Sequence, residues 1–511
     1  MKRRDFIKNI SVASVASALP FPLLASDQGA YAAVNTKKLF NEALGDNPNL
    51  IGYANVEKDF SLQNLTIEGQ VPKDIKGMFF RNGPAKHERD AQRYLHLFEG
   101  DGMVQQFNIE NGQISHRGKF VNTPKYLQEE QAQKFLFSGP DTKLKTTLPV
   151  SSADHVNTAN TNIIAVNDEL WALWEGGSAT AIDKQSLSFK KHVNLGDQTK
   201  WGNSLKGLPF SAHPKVEANG DIWNFGLNRT GHLVLYHLSA NGALKNVKLI
   251  QTQYKAGMLH DFLITQRHIL IILPSLVRNP SRSGLFSGIK FEKTAPMDVL
   301  VIDKNTLEVS KQYQLPSGFV FHFGNAWEDK QGDIHFDASL YNDVTVLHEL
   351  SDVMAGKQAS TPSHAYTTLF SLYKNGSASS QKFEEISEFP RVCEHLTGLE
   401  NRYLFHLSSQ PDSLWSDSVV ARDLKNENRM IYHYGEDFLV EEHIPVCPTK
   451  EEGKGYLIGS ALHVPSKRTC LNIFNMKNIE AGPIARAWLP YHLPLGFHGN
   501  FVEHRSQSRA I

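Results

Sequence analysis

The segment His232-Leu233-Val234-Leu235-Tyr236-His237-Leu238, then Asn241-Gly242, then the return Lys248-Leu249-Ile250-Gln251-Thr252, decides the fold class. An Asn-Gly pair adopts the positive φ angles of a tight hairpin, and the apolar, β-branched and aromatic residues around it suit strands. Turn signals of the same kind recur at Asn111-Gly112, Asn219-Gly220-Asp221, Gln331-Gly332-Asp333 and Asn375-Gly376. Strand patterns occupy 221–227, 268–273, 298–303, 333–340 and 456–462, whereas helical periodicity is confined to a short stretch at 36–47. The chain therefore reads as all-β. Turns at this density build sandwiches, barrels or propellers. With no clean internal repeat, size and turn spacing are the only pointers to a propeller.

Composition narrows the partners. The 511 residues are 41% hydrophobic and 21% charged, enough to bury a large core. The 53 basic and 53 acidic residues cancel and form no long block, so no electrostatic footprint for nucleic acid is present. Cys393, Cys447 and Cys470 lie far apart without a CxxC pair, which points to neither a disulfide framework nor a thiolate zinc site.

The N-terminus reads as an address. Lys2-Arg3-Arg4-Asp5-Phe6-Ile7-Lys8 precedes an apolar stretch at 10–24 and the small-residue pattern Ala30-Tyr31-Ala32. This resembles a Tat-type signal over 1–32, and it predicts a periplasmic protein with a single domain at 33–511. The longest apolar run, 269–273, stops at Pro274 and is too short to span a bilayer. The stretch 275–291 mixes Leu285, Phe286 and Ile289 with Arg278, Arg282 and Lys290. It reads either as an apolar loop with a basic rim, suited to peripheral membrane contact, or as an ordinary exposed loop.

Four histidines share one kind of setting, among small or apolar residues beside a strand signal. They are Ser211-Ala212-His213-Pro214-Lys215, Leu259-His260-Asp261-Phe262, Phe321-His322-Phe323-Gly324-Asn325 and Gly496-Phe497-His498-Gly499-Asn500-Phe501. Their separations of 47, 62 and 176 residues exceed any helix or hairpin, so they meet only in a fold that returns repeatedly to one axis. Spacing alone leaves each as an ordinary core or surface histidine.

Gly77-Met78-Phe79-Phe80-Arg81-Asn82-Gly83-Pro84 and His96-Leu97-Phe98-Glu99-Gly100-Asp101-Gly102-Met103, taken with those four stretches in order, resemble the carotenoid cleavage oxygenase family from about residue 52 onward. The resemblance implies a seven-bladed β-propeller, with a few helices and long loops capping one face. On its axis one Fe(II) per subunit would be held by His213, His260, His322 and His498. It also implies glutamates that accept hydrogen bonds from the imidazoles. Trp174-Glu175-Gly176-Gly177 and Glu388-Phe389-Pro390-Arg391 match two of them. Glu441-Glu442-His443 departs by about one residue from the pattern of the third, for which Glu442 is taken.

Imidazole suits Fe(II), and four neutral ligands leave coordination positions open for O2, while outlying carboxylates fix the ring tautomers. The implied reaction is scission of a C=C bond of a carotenoid or apocarotenoid by O2 into two carbonyl products, without a cosubstrate. Stilbene-type phenolics are the alternative substrate, held in the family by a lysine and a tyrosine. Thr123-Pro124-Lys125-Tyr126 is the candidate lysine position, although the local sequence reads as a solvent-facing lysine. An isomerase within the family, and a non-catalytic periplasmic binding propeller, are the other readings. Arg81-Asn82-Gly83-Pro84 and Glu99-Gly100-Asp101-Gly102 read as turns. The glycines around His498 are expected to let the backbone approach the axis, with Phe497 and Phe501 keeping it dry.

Overall fold

The computed structural model describes residues 27–504 apart from 198, 229 and 414, so the twin-arginine stretch lies outside the described residues. Seven antiparallel sheets of four or five strands form the blades of a propeller. The chain closes the ring from both ends. Strand Thr66–Gly69, near the N-terminus, adds to the last blade beside Ala485–Trp488, and the final strand His498–Glu503 adds to the first blade beside Gly77–Lys86.

The expected strands fall at Ile222–Leu227, His268–Leu273, Met297–Asp303, Ile334–Tyr341 and Tyr456–His463. Strand His268–Leu273 explains why the sequence shows continuous apolar runs instead of alternation. Leu270 and Ile272 pack with the fifth blade, while Ile269, Ile271 and Leu273 pack with the third. A strand buried on both faces needs apolar residues on both.

Near the axis, side-chain amides and carboxylates stitch one blade to the next. Asn82 Nδ2 donates to the carbonyls of Ala159 and Asn162, both at 2.9 Å, and Asn162 Nδ2 donates to Ala212 O at 2.7 Å. Asp261 accepts from Phe323 N at 3.0 Å, and Asn325 Nδ2 donates to Leu396 O and Leu399 O. These bonds satisfy backbone groups left over where the short inner strands end.

Three expectations are corrected here. Arg81-Asn82-Gly83-Pro84 is not a turn but part of strand Gly77–Lys86. Gly83 serves close approach, since a Cβ there would stand 2.4 Å from Gly496 Cα, and Pro84 sits at a register irregularity where no ladder N–H is required. Cys393 and Cys447, 54 residues apart, form a disulfide, and Cys470 stays free and buried. Chain spacing could not reveal that two strand ends in neighbouring blades adjoin. The helix expected at 36–47 runs Asp27–Asp46 and contains Ala30-Tyr31-Ala32. It docks through Phe40, whose ring lies 3.4 Å from the buried Arg93 guanidinium carbon.

The other helices, Pro124–Ala132 and Thr345–Asp352, lie among the loops of one face. The first begins on a Thr123 cap that accepts from Tyr126 N, with Pro124 at its first position. No helix among the described residues is long and apolar enough to cross a membrane. Of the stretch 275–291, Leu276, Phe286 and Ile289 turn inward, and Val277 is exposed at 38%.

Candidate metal centre

Each histidine stands where a blade begins or ends. His213 precedes strand Lys215–Val216, His260 precedes Leu263–Ile264, His322 follows Phe319–Val320, and His498 opens the closing strand. The four are buried, and their ligand atoms all lie within 4.8 Å of one another. His498 Nε2 is 3.0 Å from His213 Nε2 and 3.2 Å from His322 Nε2.

The outer nitrogens face carboxylates. His322 Nδ1 meets Glu388 Oε2 at 2.5 Å, and His498 Nδ1 meets Glu442 Oε1 at 3.0 Å. Glu175 Oε1 lies between two rings, 3.4 Å from His260 Nδ1 and 3.5 Å from His213 Nδ1. Of the adjacent pair, Glu442 also accepts from Gly499 N at 2.8 Å, whereas Glu441 turns to Arg81.

Burial, followed by the neighbouring imidazoles, holds His213 and His260 well below the usual imidazole range. Burial lowers His498 as well, against the pull of Glu442. These three rings are therefore neutral. With Nδ1–H turned outward to a carboxylate, each Nε2 presents a lone pair to one point. Lone pairs converging at 3.0 Å repel unless a cation lies between them, so the donor set fits a divalent metal that accepts imidazole.

Glu175 carries the same message. Its side chain is about a third exposed, but to an internal cavity, and burial pushes its pKa well up, with Asp261 adding and Ala212 N–H opposing. A cation at the centre would reverse that shift. For Glu442, burial is outweighed by Arg391 and His498, which bring the carboxyl down to about 2. Arg391 Nη1 lies 3.7 Å from Glu442 Oε1, and its Nη2 donates to Asn500 Oδ1 and Gly499 O.

His260, His322 and His498 open onto a cavity of about 620 Å3. Phe98, Phe286, Phe321, Phe389, Phe497 and Trp174 wall it. Phe389 stacks on His322 with ring centroids 4.8 Å apart. Phe501, expected to shield the axis, packs instead between the first and last blades, while Phe497 does line the cavity.

Lys125 also reaches this cavity and is buried, contrary to the solvent-facing reading. Its Nζ donates to Asp101 Oδ1 at 2.7 Å, Glu129 Oε2 at 2.9 Å and Tyr94 OH at 2.9 Å. Arg89 Nη1 completes the cluster, 2.7 Å from Asp101 Oδ2 and 3.3 Å from Glu129 Oε2. Asp101, within the stretch read as a turn, opens strand Asp101–Glu110. Pairing across 24 residues gave no local signal, and neither did Tyr94, Arg391 or the Arg81–Glu441 pair.

The model of the family described as retinal pigment epithelial membrane protein (RPE65) matches residues 53–503. The carotenoid 9,10(9',10')-cleavage dioxygenase 1 of Pisum sativum is 27% identical over 485 residues, covering 86% of this chain and 87% of that protein. The lignostilbene-alpha,beta-dioxygenase isozyme III of Sphingomonas paucimobilis is 26% identical over 476 residues, covering 86% and 94%. The crystal structure of cobalt-substituted Synechocystis ACO superposes with a TM-score of 0.80 at 24% identity, covering 90% of this chain and 99% of that one.

Proposed function

As the chain belongs to the carotenoid cleavage oxygenase family, that of the retinal pigment epithelial membrane protein, we propose that it is a non-haem Fe(II) oxygenase cleaving a conjugated C=C bond. The observation that carries this reading is the convergence of four buried imidazoles at one end of an aromatic cavity. His213, His260, His322 and His498 would hold one Fe(II) per chain, with Glu175, Glu388 and Glu442 fixing their tautomers. The chemistry a bound Fe(II) supplies is activation of O2 at coordination positions the imidazoles leave free. The chain's own part is to orient an extended apolar substrate against Phe98, Phe321 and Phe389 and to exclude water from the reacting bond. No carboxylate enters the ligand set, so none competes with O2 for a position.

A carotenoid or apocarotenoid suits the apolar walls of the cavity. A phenolic stilbene is favoured by a different observation, the Lys125–Tyr94 contact in the cavity wall. All three Lys125 protons are engaged, and the Tyr94 hydroxyl makes only a long 3.5 Å donation to Glu129 Oε2, a bond it would exchange for one to a phenolate oxygen, polarised by the cation behind it.

Export by the Tat route to the periplasm is part of the proposal, on the strength of Arg3-Arg4 and supported by a disulfide of the kind that persists in oxidising compartments. So is peripheral membrane contact through 275–291, supported by exposed Val277, Arg282 and Lys290. The test is aerobic incubation of iron-loaded protein with β-carotene, an apocarotenal and a hydroxystilbene, read by product mass. Aldehydes from one class identify the substrate. Products of unchanged mass would make it an isomerase, and no turnover with no bound iron would make it a binding propeller.

A further inference from the structure

We infer that Glu441, paired with Arg81, is a positioning residue that sets His498 in the ligand ring, an inference resting on the metal-centre reading above. In strand Phe438–Val446, Val440 stands opposite Ala461 and His443 opposite Gly459, so Glu441 and Glu442 together face the single residue Ser460. This β-bulge turns two consecutive carboxylates inward, where an unbroken strand would send one to each face. Both are buried, at 2% and 4% exposure.

The two carboxylates grip the closing segment on either side of the same histidine. Glu442 takes His498 Nδ1–H and Gly499 N–H. Glu441 Oε1 takes Gly496 N–H, two residues before His498, together with Arg81 Nε–H at 2.6 Å and Arg81 Nη2–H. Ser460 donates to Glu441 Oε2 at 2.6 Å, and Arg81 Nη2 donates in addition to Pro494 O. The run from Pro494 to Gly499 is thereby fixed from one bulge. The fit leaves no slack at Gly496, where a Cβ would stand 2.5 Å from Arg81 Nε. A displacement of this segment moves His498 directly, because neither end of it is free.

The competing role is that Glu441 merely fastens the propeller shut. Glu385 separates the two. It is likewise buried, pairs with Arg422, His406 and Arg429 between the fifth and sixth blades, and is not among the residues at the axis. Metal-free full-length protein is titrated anaerobically with Fe(II), and amide exchange is followed over 490–500. Glu441→Gln, which acts on His498 through Gly496 N–H, is expected to weaken Fe(II) binding about tenfold, the low end of what losing a group bonded to a ligand costs. It is also expected to speed exchange at 494–499 in the metal-free protein. Glu385→Gln is expected to lower thermal stability and change neither readout.

Ser460→Ala, which removes one hold on the carboxylate and keeps the ion pair, shifts both readouts the same way by less. It decides the matter if Glu441→Gln does not fold. Fe(II) affinity within about twofold of wild type and unchanged exchange in the folded variant would overturn the inference. So would equal weakening by Glu385→Gln. A wild-type protein that binds no Fe(II) would instead overturn the metal-centre reading, and this one with it.

Discussion

Replacing Lys125 by methionine separates the structural from the recognition role of the buried cationic cluster in the cavity wall. Methionine keeps length and apolar stem but removes the charge. The wild-type Nζ is bonded to Asp101, Glu129 and Tyr94 OH at 2.7 to 2.9 Å, and Asp101 and Glu129 raise its pKa despite burial. Arg89, 2.7 and 3.3 Å from the same two carboxylates, would be left to balance both. Breaking a buried pair costs about 3–5 kcal/mol, and the remaining arginine puts this case near the low end, about 3 kcal/mol. Recognition is a separate quantity. Loss of the charge-assisted contact behind Tyr94 is worth about 2 kcal/mol, or about 30-fold in kcat/KM on a hydroxystilbene, and nothing on a non-phenolic apocarotenal. Urea unfolding measures the first, and paired steady-state kinetics the second. A stability loss under about 1 kcal/mol would refute the charge accounting. Equal kinetic losses on the two substrates would refute recognition by the Lys125–Tyr94 pair.

Other outcomes follow from the same geometry. Glu442→Gln sets an amide against two donors, His498 Nδ1–H and Gly499 N–H, and should weaken Fe(II) binding about 10–100-fold in an anaerobic titration. Reducing the Cys393–Cys447 disulfide, which closes a span of 54 residues, should cost about 4 kcal/mol in the chain-entropy picture; equal urea midpoints with and without a phosphine reductant would contradict this. Glu328 is brought down to about 2 from its ordinary 4.5, burial being outweighed by hydrogen bonds from His268, Thr265 and Arg267. Because its folded pKa is depressed, its contribution is present above about pH 4.5 and lost as pH falls toward 2. Glu328→Gln should therefore flatten the acid limb of a melting-temperature profile in that window.

Much of the fold was legible because hairpin turns announce themselves locally. The strand patterns at 268–273 and 456–462 coincide with observed strands to within a residue, since continuous apolar runs between turn residues have few other solutions. The seven-blade count was not legible from periodicity. Irregular inner strands of two or three residues, such as Lys215–Val216, erase any repeat. It entered through family resemblance, as did the four histidines. What stayed hidden depends on contacts between distant segments. Asn-Gly-Pro reads as a turn until Gly83 is seen beside Gly496, and Lys125 reads as solvated until Asp101 and Arg89 are seen around it. The bulge at Glu441 and Glu442 shows in the sequence only as an extra acidic residue.

The central claim is that four buried imidazoles hold one metal that cleaves an alkene with O2. Its most direct test is metal analysis and product mass on the same preparations of wild type and His498→Ala. The account predicts close to one iron per wild-type chain, and two carbonyl fragments whose masses sum to substrate plus two oxygen atoms. It also predicts that iron and fragments are lost together in the folded variant. Full iron and full turnover in His498→Ala, or fragments formed by wild-type protein without iron, would contradict it.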